Sequence, residues 1–214
     1  MWLNWGFWRN RSHRRSGTPR NSYFYRNQIA MPYIPLKEEL PGITGLLDFR
    51  QDTALPIRQL TQILLRGEST LTEGERELIA SVASSGNQCK FCTAAHSAAA
   101  NLLLSDPSIA EKAIQDPGSA PVSGKMRALL TIAAAVPKMG TPVTPSMVEA
   151  ARSQGATDLE LHDTVLISAL FSLYNKYVDG LASVTPSEPG FYDRLAHILK
   201  DKGYMPSADR YAKL

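Results

Sequence analysis

The stretch that decides the reading is TEGERELIASVASSGNQCKFCTAAHSAAANLLL, residues 72–104. Thr72 followed three residues later by Glu75 is a capping-box pattern, which opens a helix by satisfying its first free N–H groups. Leu78, Ile79 and Val82 then recur at helical spacing. Gly86-Asn87 breaks that helix. A second begins near Cys89 and runs to about Leu104. Ala94, Ala95, Ala98, Ala99 and Ala100 make it a strong helix former, thin enough for a neighbour to approach closely.

Working outward, the same signals repeat. Residues 31–56 hold Pro32, Pro35, Pro41, Gly42, Gly45 and Pro56, a lead-in with one short helix around Leu46–Thr53. Pro56 suits the first turn of the next helix, where Leu60, Ile63 and Leu64 recur. Pro107 starts a short helix to about Gln115, and residues 116–124 read as a linker. Lys125–Val136 is the next helix, stopped by Pro137. Pro145 starts another, to about Ser153, ended by Gly155. Thr157 and Glu160 form a second capping box, which opens a long apolar helix through about Val184. Glu188–Lys202 is the last, with Phe191, Leu195, Ile198 and Leu199 on one face. The tail after Gly203 is expected to be extended and to pack on a partner. No segment alternates at period two, so the expected fold is all-α, a bundle of about eight helices. A weak internal duplication is also visible: a shift of 88 residues sets LIASVASSGN (78–87) over LISALFSLYN (166–175), and both end in Asn.

Charge divides the chain. Six of its 23 basic residues, Arg9, Arg11, Arg14, Arg15, Arg20 and Arg26, lie in residues 1–30, where there is no acid. The remaining 17 stand against 20 acidic residues, a net −3 for residues 31–214. The body therefore carries no basic surface for nucleic acid. No apolar run reaches the roughly 18 residues that a membrane-crossing helix needs. Residues 1–30 also hold Trp2, Trp5, Trp8 and the Tyr23-Phe24-Tyr25 cluster, without an h-region. They read as a disordered basic and aromatic leader before an all-helical domain at 31–214. Their Arg-rich, acid-free composition is also loosely that of an organellar transit peptide. The expected compartment is the cytoplasm, or the mitochondrion if the leader is such a peptide.

Cys89 and Cys92 are the two cysteines of the chain, and His96 is one of four histidines. Two cysteines cannot form a secreted disulfide framework. A bridge between adjacent turns closes a short loop and removes little unfolded-state entropy, so it is an inefficient staple. Zinc would need four ligands. C-x2-C and His96 supply three, with His162 a distant candidate for the fourth. A reactive pair fits better. Cys89 stands near a helix N-terminus, which favours a thiolate. His96 lies four residues after Cys92 and seven after Cys89, so all three share one helical face. The imidazole can take the Cys92 proton, and two thiols a turn apart can cycle between dithiol and disulfide. The competing reading is two small buried residues and a satisfied core histidine. Glu77 is the carboxylate best placed to orient the imidazole, although the usual fate of a helical Glu is a solvated face. His162 reads as exposed or structurally satisfied, and Asn175 as a packing residue or as one that bonds backbone near the site.

The segment from Glu77 to His96 resembles the AhpD-like alkylhydroperoxidases of the carboxymuconolactone decarboxylase superfamily. Their pattern is a Glu, a gap of eleven residues, then C-x2-C-x3-H; Glu77, Cys89, Cys92 and His96 match it. MPYIPLKEEL (31–40) and YNKYVDGLA (174–182) look like its peroxidase-related branch. The resemblance implies an AhpD-like helical fold and thiol-dependent reduction of organic hydroperoxides. In that scheme Cys92 attacks the peroxide, Cys89 resolves the sulfenic acid, and His96 and Glu77 relay protons. No cofactor is implied, only an external thiol or protein dithiol reductant, and the assembly is a homotrimer or hexamer. Alternatives within the same resemblance are a protein disulfide oxidoreductase, a redox sensor, or a decarboxylase-superfamily member without peroxidase activity. One position departs from the pattern: the founding members carry a second histidine where this chain has Phe91.

Overall fold

The computed structural model describes residues 31–140, 143–188 and 190–206. The leader at 1–30 and the final residues 207–214 lie outside them. Among the described residues there are nine α-helices and no strand. They are α1 (Ile43–Phe49), α2 (Gln51–Arg66), α3 (Glu73–Gly86), α4 (Lys90–Leu104), α5 (Ile109–Gln115), α6 (Gly124–Ala135), α7 (Pro145–Ser153), α8 (Asp158–Gly180) and α9 (Phe191–Lys202). None is long and apolar enough to cross a membrane.

α3 is the axis of the bundle. Every residue from Arg76 to Ser84 is buried, and the helix packs against α4, α6 and α8. A helix buried all round needs small side chains where neighbours approach, and Ala80, Ser81, Ala83 and Ser84 supply them. Both capping boxes form, Thr72 with Glu75 and Thr157 with Glu160. Glu160 does more than cap: Thr70 Oγ1 (2.8 Å) and Lys125 Nζ (2.6 Å) donate to its Oε1, tying α8 to two other segments. Asn87 and Asn175, the two asparagines superposed by the 88-residue shift, bond to each other, Nδ2 donating to Oδ1 at 3.0 Å. They join the end of α3 to α8.

Several boundaries differ from the sequence reading. The short first helix begins at Ile43, and α2 begins at Gln51, so Pro56 lies inside α2 rather than in its first turn. The kink falls at Arg50, whose backbone is extended. α5 starts at Ile109 because Asp106 accepts bonds from the Ser108 N–H and hydroxyl, holding a turn where Pro107 suggested a helix start. α8 stops at Gly180, not Val184. Ser183 and Val184 instead bind the lead-in: Gly42 N–H donates to the Val184 carbonyl and the Ser183 hydroxyl to the Gly42 carbonyl. α9 starts at Phe191 rather than Glu188, after Gly190 in the left-handed region. The described start of the tail is not free for a partner. Gly203 turns the chain at φ 60° and Tyr204 enters the core.

Gly42 is fixed by two constraints at once. Its φ is 61°, and an added Cβ would lie 2.3 Å from the Phe91 ring. Gly42→Ala should therefore destabilise the fold by about 1–3 kcal/mol, through overpacking and left-handed strain. A lower urea midpoint with an unchanged slope is the expected result.

Candidate active site

The thiols sit where α3 turns into α4. Gln88 adopts φ 63°, and Cys89 caps α4 with extended backbone. Cys92 and His96 follow on successive turns. Cys89 is fully buried, Cys92 and His96 nearly so, and both cysteines are free thiols. Cys92 and His96 line one small cavity of about 50 Å³, together with Phe91, Phe171, Arg58 and Tyr204. A few water molecules would fill such a space. Cys89 is not part of its wall.

Behind His96 stands Glu77, 0% exposed. Its Oε2 meets His96 Nδ1 at 2.6 Å. Its Oε1 accepts from Arg66 Nη2 and from the Tyr204 hydroxyl, each at 2.6 Å. The carboxylate expected to orient the imidazole does so, and the solvated face usual for a helical Glu is not its fate. Burial pushes the carboxyl up, but His96, Arg66 and Tyr204 together outweigh it and hold Glu77 at about 2. An ionised carboxylate can only accept, so Nδ1 carries the hydrogen and Nε2 is the ring atom left for chemistry. Phe171 packs edge-on against the ring at 4.3 Å between centroids and fixes its plane.

The two thiols influence each other's ionisation. The Cys92 S–H bonded to Cys89 lowers the Cys89 thiol, against the effect of burial. The same bond, burial and the neighbouring sulfur's charge raise Cys92 well above the ordinary thiol value, while Asn175 opposes them by bonding to its sulfur. Tyr192, pushed up to about 12 by burial and by the charge of the thiols, stays neutral beside them. It packs edge-on against Phe91.

All four proposed site residues therefore converge, with Cys89 one step behind the cavity. His162 does not join them. It is exposed beside Asp163. Among the described residues no group of three or more His, Cys, Asp or Glu is placed to hold a metal. Asn175 is more than a packing residue, since its amide donates to Ser84 Oγ and accepts from Asn87 Nδ2. Arg66 and Tyr204 were not foreseen. Arg66 ends α2, lies 5.0 Å over the Tyr204 ring and also donates to the Leu199 carbonyl at 3.2 Å. Nothing local distinguishes it from a surface arginine. For Tyr204 a signal existed: an aromatic directly after a helix-ending glycine commonly folds back on the last turn.

Residues 53–102 match the model of the carboxymuconolactone decarboxylase family. Two solved structures are similar over most of the chain. One is an alkylhydroperoxidase AhpD core, an uncharacterized peroxidase-related protein from Ralstonia eutropha JMP134. It is 28% identical with a TM-score of 0.64, over 73% of this chain and 80% of that one. The other is an uncharacterized peroxidase-related protein from Silicibacter sp. TM1040, 25% identical with a TM-score of 0.64, over 81% of this chain and 98% of that one. The fold is AhpD-like. No curated protein matches the chain. The family segment contains Arg66, Glu77, both cysteines and His96, whereas Asn175 and Tyr204 lie beyond it.

Glu77 gives the fold a dependence on acid. A carboxylate whose folded value lies below its unfolded one stabilises the fold above the unfolded value, and that contribution is lost as pH falls. The window runs from about 4.5 down to about 2. Glu160, also held at about 2, adds to the same slope. Glu77→Gln should lower stability at pH 7 by about 3 kcal/mol, because buried Arg66 is left with only the half-exposed Glu73 carboxylate, 3.5 Å from its Nε, as counter-charge. It should also flatten part of the fall in urea midpoint between pH 5 and pH 2, leaving the share due to Glu160.

Proposed function

We propose that this protein is a thiol peroxidase that reduces organic hydroperoxides through a Cys89–Cys92 dithiol–disulfide cycle. The observation that carries the reading is the cavity: Cys92 and His96 share its wall, and the imidazole is held from behind by a fully paired, ionised Glu77. Cys92 has access to the cavity and Cys89 does not, which supports Cys92 as the attacking thiol. A thiol raised by burial needs a base, and His96 Nε2 is the base at hand. The imidazole takes the Cys92 proton. The thiolate attacks the outer oxygen of the peroxide, the O–O bond breaks, and a sulfenic acid forms on Cys92. The imidazolium returns its proton to the leaving alkoxide, which departs as an alcohol. Cys89 then displaces hydroxide from the Cys92 sulfur, giving the disulfide and water. An external dithiol restores both thiols.

The apolar walls suit an alkyl chain. Leu47, Phe171, Leu195 and Leu199 face the same space as the sulfur. The small volume takes the hydroperoxy end as it stands, and a bulky group requires α9 to give way. Phe91 stands in place of a second histidine, so His96 carries the proton transfer on this side alone. The homo-oligomer implied by the resemblance belongs to the proposal, supported by Val165, Ala169 and Leu173, which lie exposed along one face of α8.

Stopped-flow reaction of the reduced protein with cumene hydroperoxide and with hydrogen peroxide tests the reading. Cys89→Ser should accumulate sulfenate on Cys92, and Cys92→Ser should lose the fast phase. His96→Gln should slow the reaction by about 100-fold or more. A wild-type rate no faster than that of a free thiol would sink the peroxidase reading. Sulfenate found on Cys89 alone would exchange the two roles.

A further inference from the structure

The wall of the cavity holds a charge that the reaction above does not use. Arg58 lines it beside Cys92, His96 and Tyr204, and is 7% exposed. On α2, Arg58, Gln62 and Arg66 recur at intervals of four residues and share one face. Each serves the site differently. Arg66 pairs with Glu77 at 2.6 Å, and Gln62 Oε1 accepts from the Tyr204 N–H at 2.7 Å. Arg58 Nη1 donates to the Tyr204 carbonyl at 3.4 Å, which steadies its head group in the wall. The positions one turn to either side of Arg58 are Ala54, Leu55, Thr61 and Gln62, so its own helix sets no carboxylate beside it. Among the described residues that line the cavity there is no Asp or Glu either. Glu77, behind His96, is balanced by Arg66. Two hydroxyls of the wall are spent on the protein itself: Thr44 Oγ1 donates to the Pro41 carbonyl at 2.5 Å and Tyr204 to Glu77 at 2.6 Å. The net charge that the described wall offers a ligand is therefore that of Arg58. A buried guanidinium in apolar surroundings attracts an anion more strongly than one at the surface, because little water screens it. Its planar fork matches a carboxylate in particular.

We propose that Arg58 is an anion anchor, and that the substrate is a short organic hydroperoxide carrying a carboxylate. The inference deepens the peroxidase reading above and rests on it for the reaction, though not for the anchor. The hydroperoxy end lies against Cys92 and His96, the carboxylate against Arg58, and the stem between them against Leu47 and Leu199. A cavity of about 50 Å³ calls for a short stem. The chemistry at sulfur is unchanged. Cys92 takes the outer oxygen and is oxidised to the sulfenic acid, and the O–O bond breaks. The thiol proton passes through His96 to the departing alkoxide, so the product is a hydroxy acid with its carboxylate intact.

Iodoacetate and iodoacetamide test the anchor without any peroxide. They alkylate the same sulfur and differ by a carboxylate against an amide. The alkylated residue is read by mass, and Cys92 is expected. Measured against the same ratio for a free thiol, the protein should favour iodoacetate by about tenfold or more. Arg58→Gln should lose that preference, and Arg58→Lys, which keeps the charge but not the fork, should retain part of it. The ratio of the two rates is the readout, so a general loss of reactivity does not imitate the effect. Should Arg58→Gln fail to fold, the wild-type ratio and Arg58→Lys decide.

The substrate class is tested with tert-butyl hydroperoxide and 2-hydroperoxy-2-methylpropanoate, in which a carboxylate replaces one methyl group. With both rates normalised to a free thiol, the acid should react about tenfold faster or more, and Arg58→Gln should remove the difference. A wild-type alkylation ratio equal to that of the free thiol would overturn the anchor. So would a preference that survives Arg58→Gln, or one that falls on Cys89. A preference for iodoacetate with none for the acid peroxide would overturn the substrate assignment. If neither peroxide outpaces a free thiol while iodoacetate is favoured, the peroxidase reading fails and the anchor stands. If both peroxides react fast and neither anion is favoured, the anchor alone fails.

Discussion

The Glu77 carboxylate is the constraint around which the molecule is arranged. An ionised group with no solvent exposure is costly unless its lone pairs are filled. Three side chains from three different segments fill them: Arg66 from the end of α2, His96 from α4 and Tyr204 from beyond α9. Two of the three are held in turn by backbone contacts. Arg66 donates to the Leu65 and Leu199 carbonyls, and Tyr204 N–H donates to the Gln62 side chain at 2.7 Å. The fold brings these segments together, and the carboxylate makes their meeting point specific. A shift of any one leaves a lone pair of the buried carboxylate unfilled.

This arrangement also explains why the site has two sides with different chemistry. On the cavity side, the charges are paired in advance and the imidazole is held in one tautomer. That suits a step in which a proton must be taken and returned at one place. On the α8 side the groups are neutral amides and hydroxyls: Asn175 accepts from Asn87 and donates to Ser84 Oγ, which ties the end of α3 to α8. The difference follows from which helix is central. α3 brings Glu77 to one flank of α4, and the end of α8 reaches the other.

Much of this was legible in sequence because it was local. Both capping boxes and the Gly86-Asn87 break are set by spacings of a few residues, and each appears as read; Cys92 and His96 share one wall as their spacing implies, while Cys89, extended at the helix cap, stands off it. The errors arise where distant contacts override local preference. Pro56 was taken for a helix start, but α2 begins five residues earlier and tolerates it within. α8 looked apolar through Val184, yet it ends at Gly180 because residues 183 and 184 bond Gly42, some 140 positions away. The burial of Glu77 was invisible for the same reason. Its neighbours in sequence are those of an ordinary amphipathic helix, and one of its partners lies 127 residues later. The glycine before Tyr204 was read as the end of structure, when it was the turn that sends the chain back inside.

Phe91 ties these observations together. A histidine at this position would place a second titratable ring beside the thiols. The phenylalanine instead fills the space over Gly42 and meets Tyr192 edge-on, 6.0 Å between centroids. Gly42 is also the residue that anchors the lead-in to residues 183 and 184, just after α8. The ring therefore packs against the joint that ties the lead-in to the residues just after α8. An apolar ring at residue 91 also leaves His96 as the imidazole of the cavity wall. A site of this kind has to be understood through its packing before its acids and bases can be assigned.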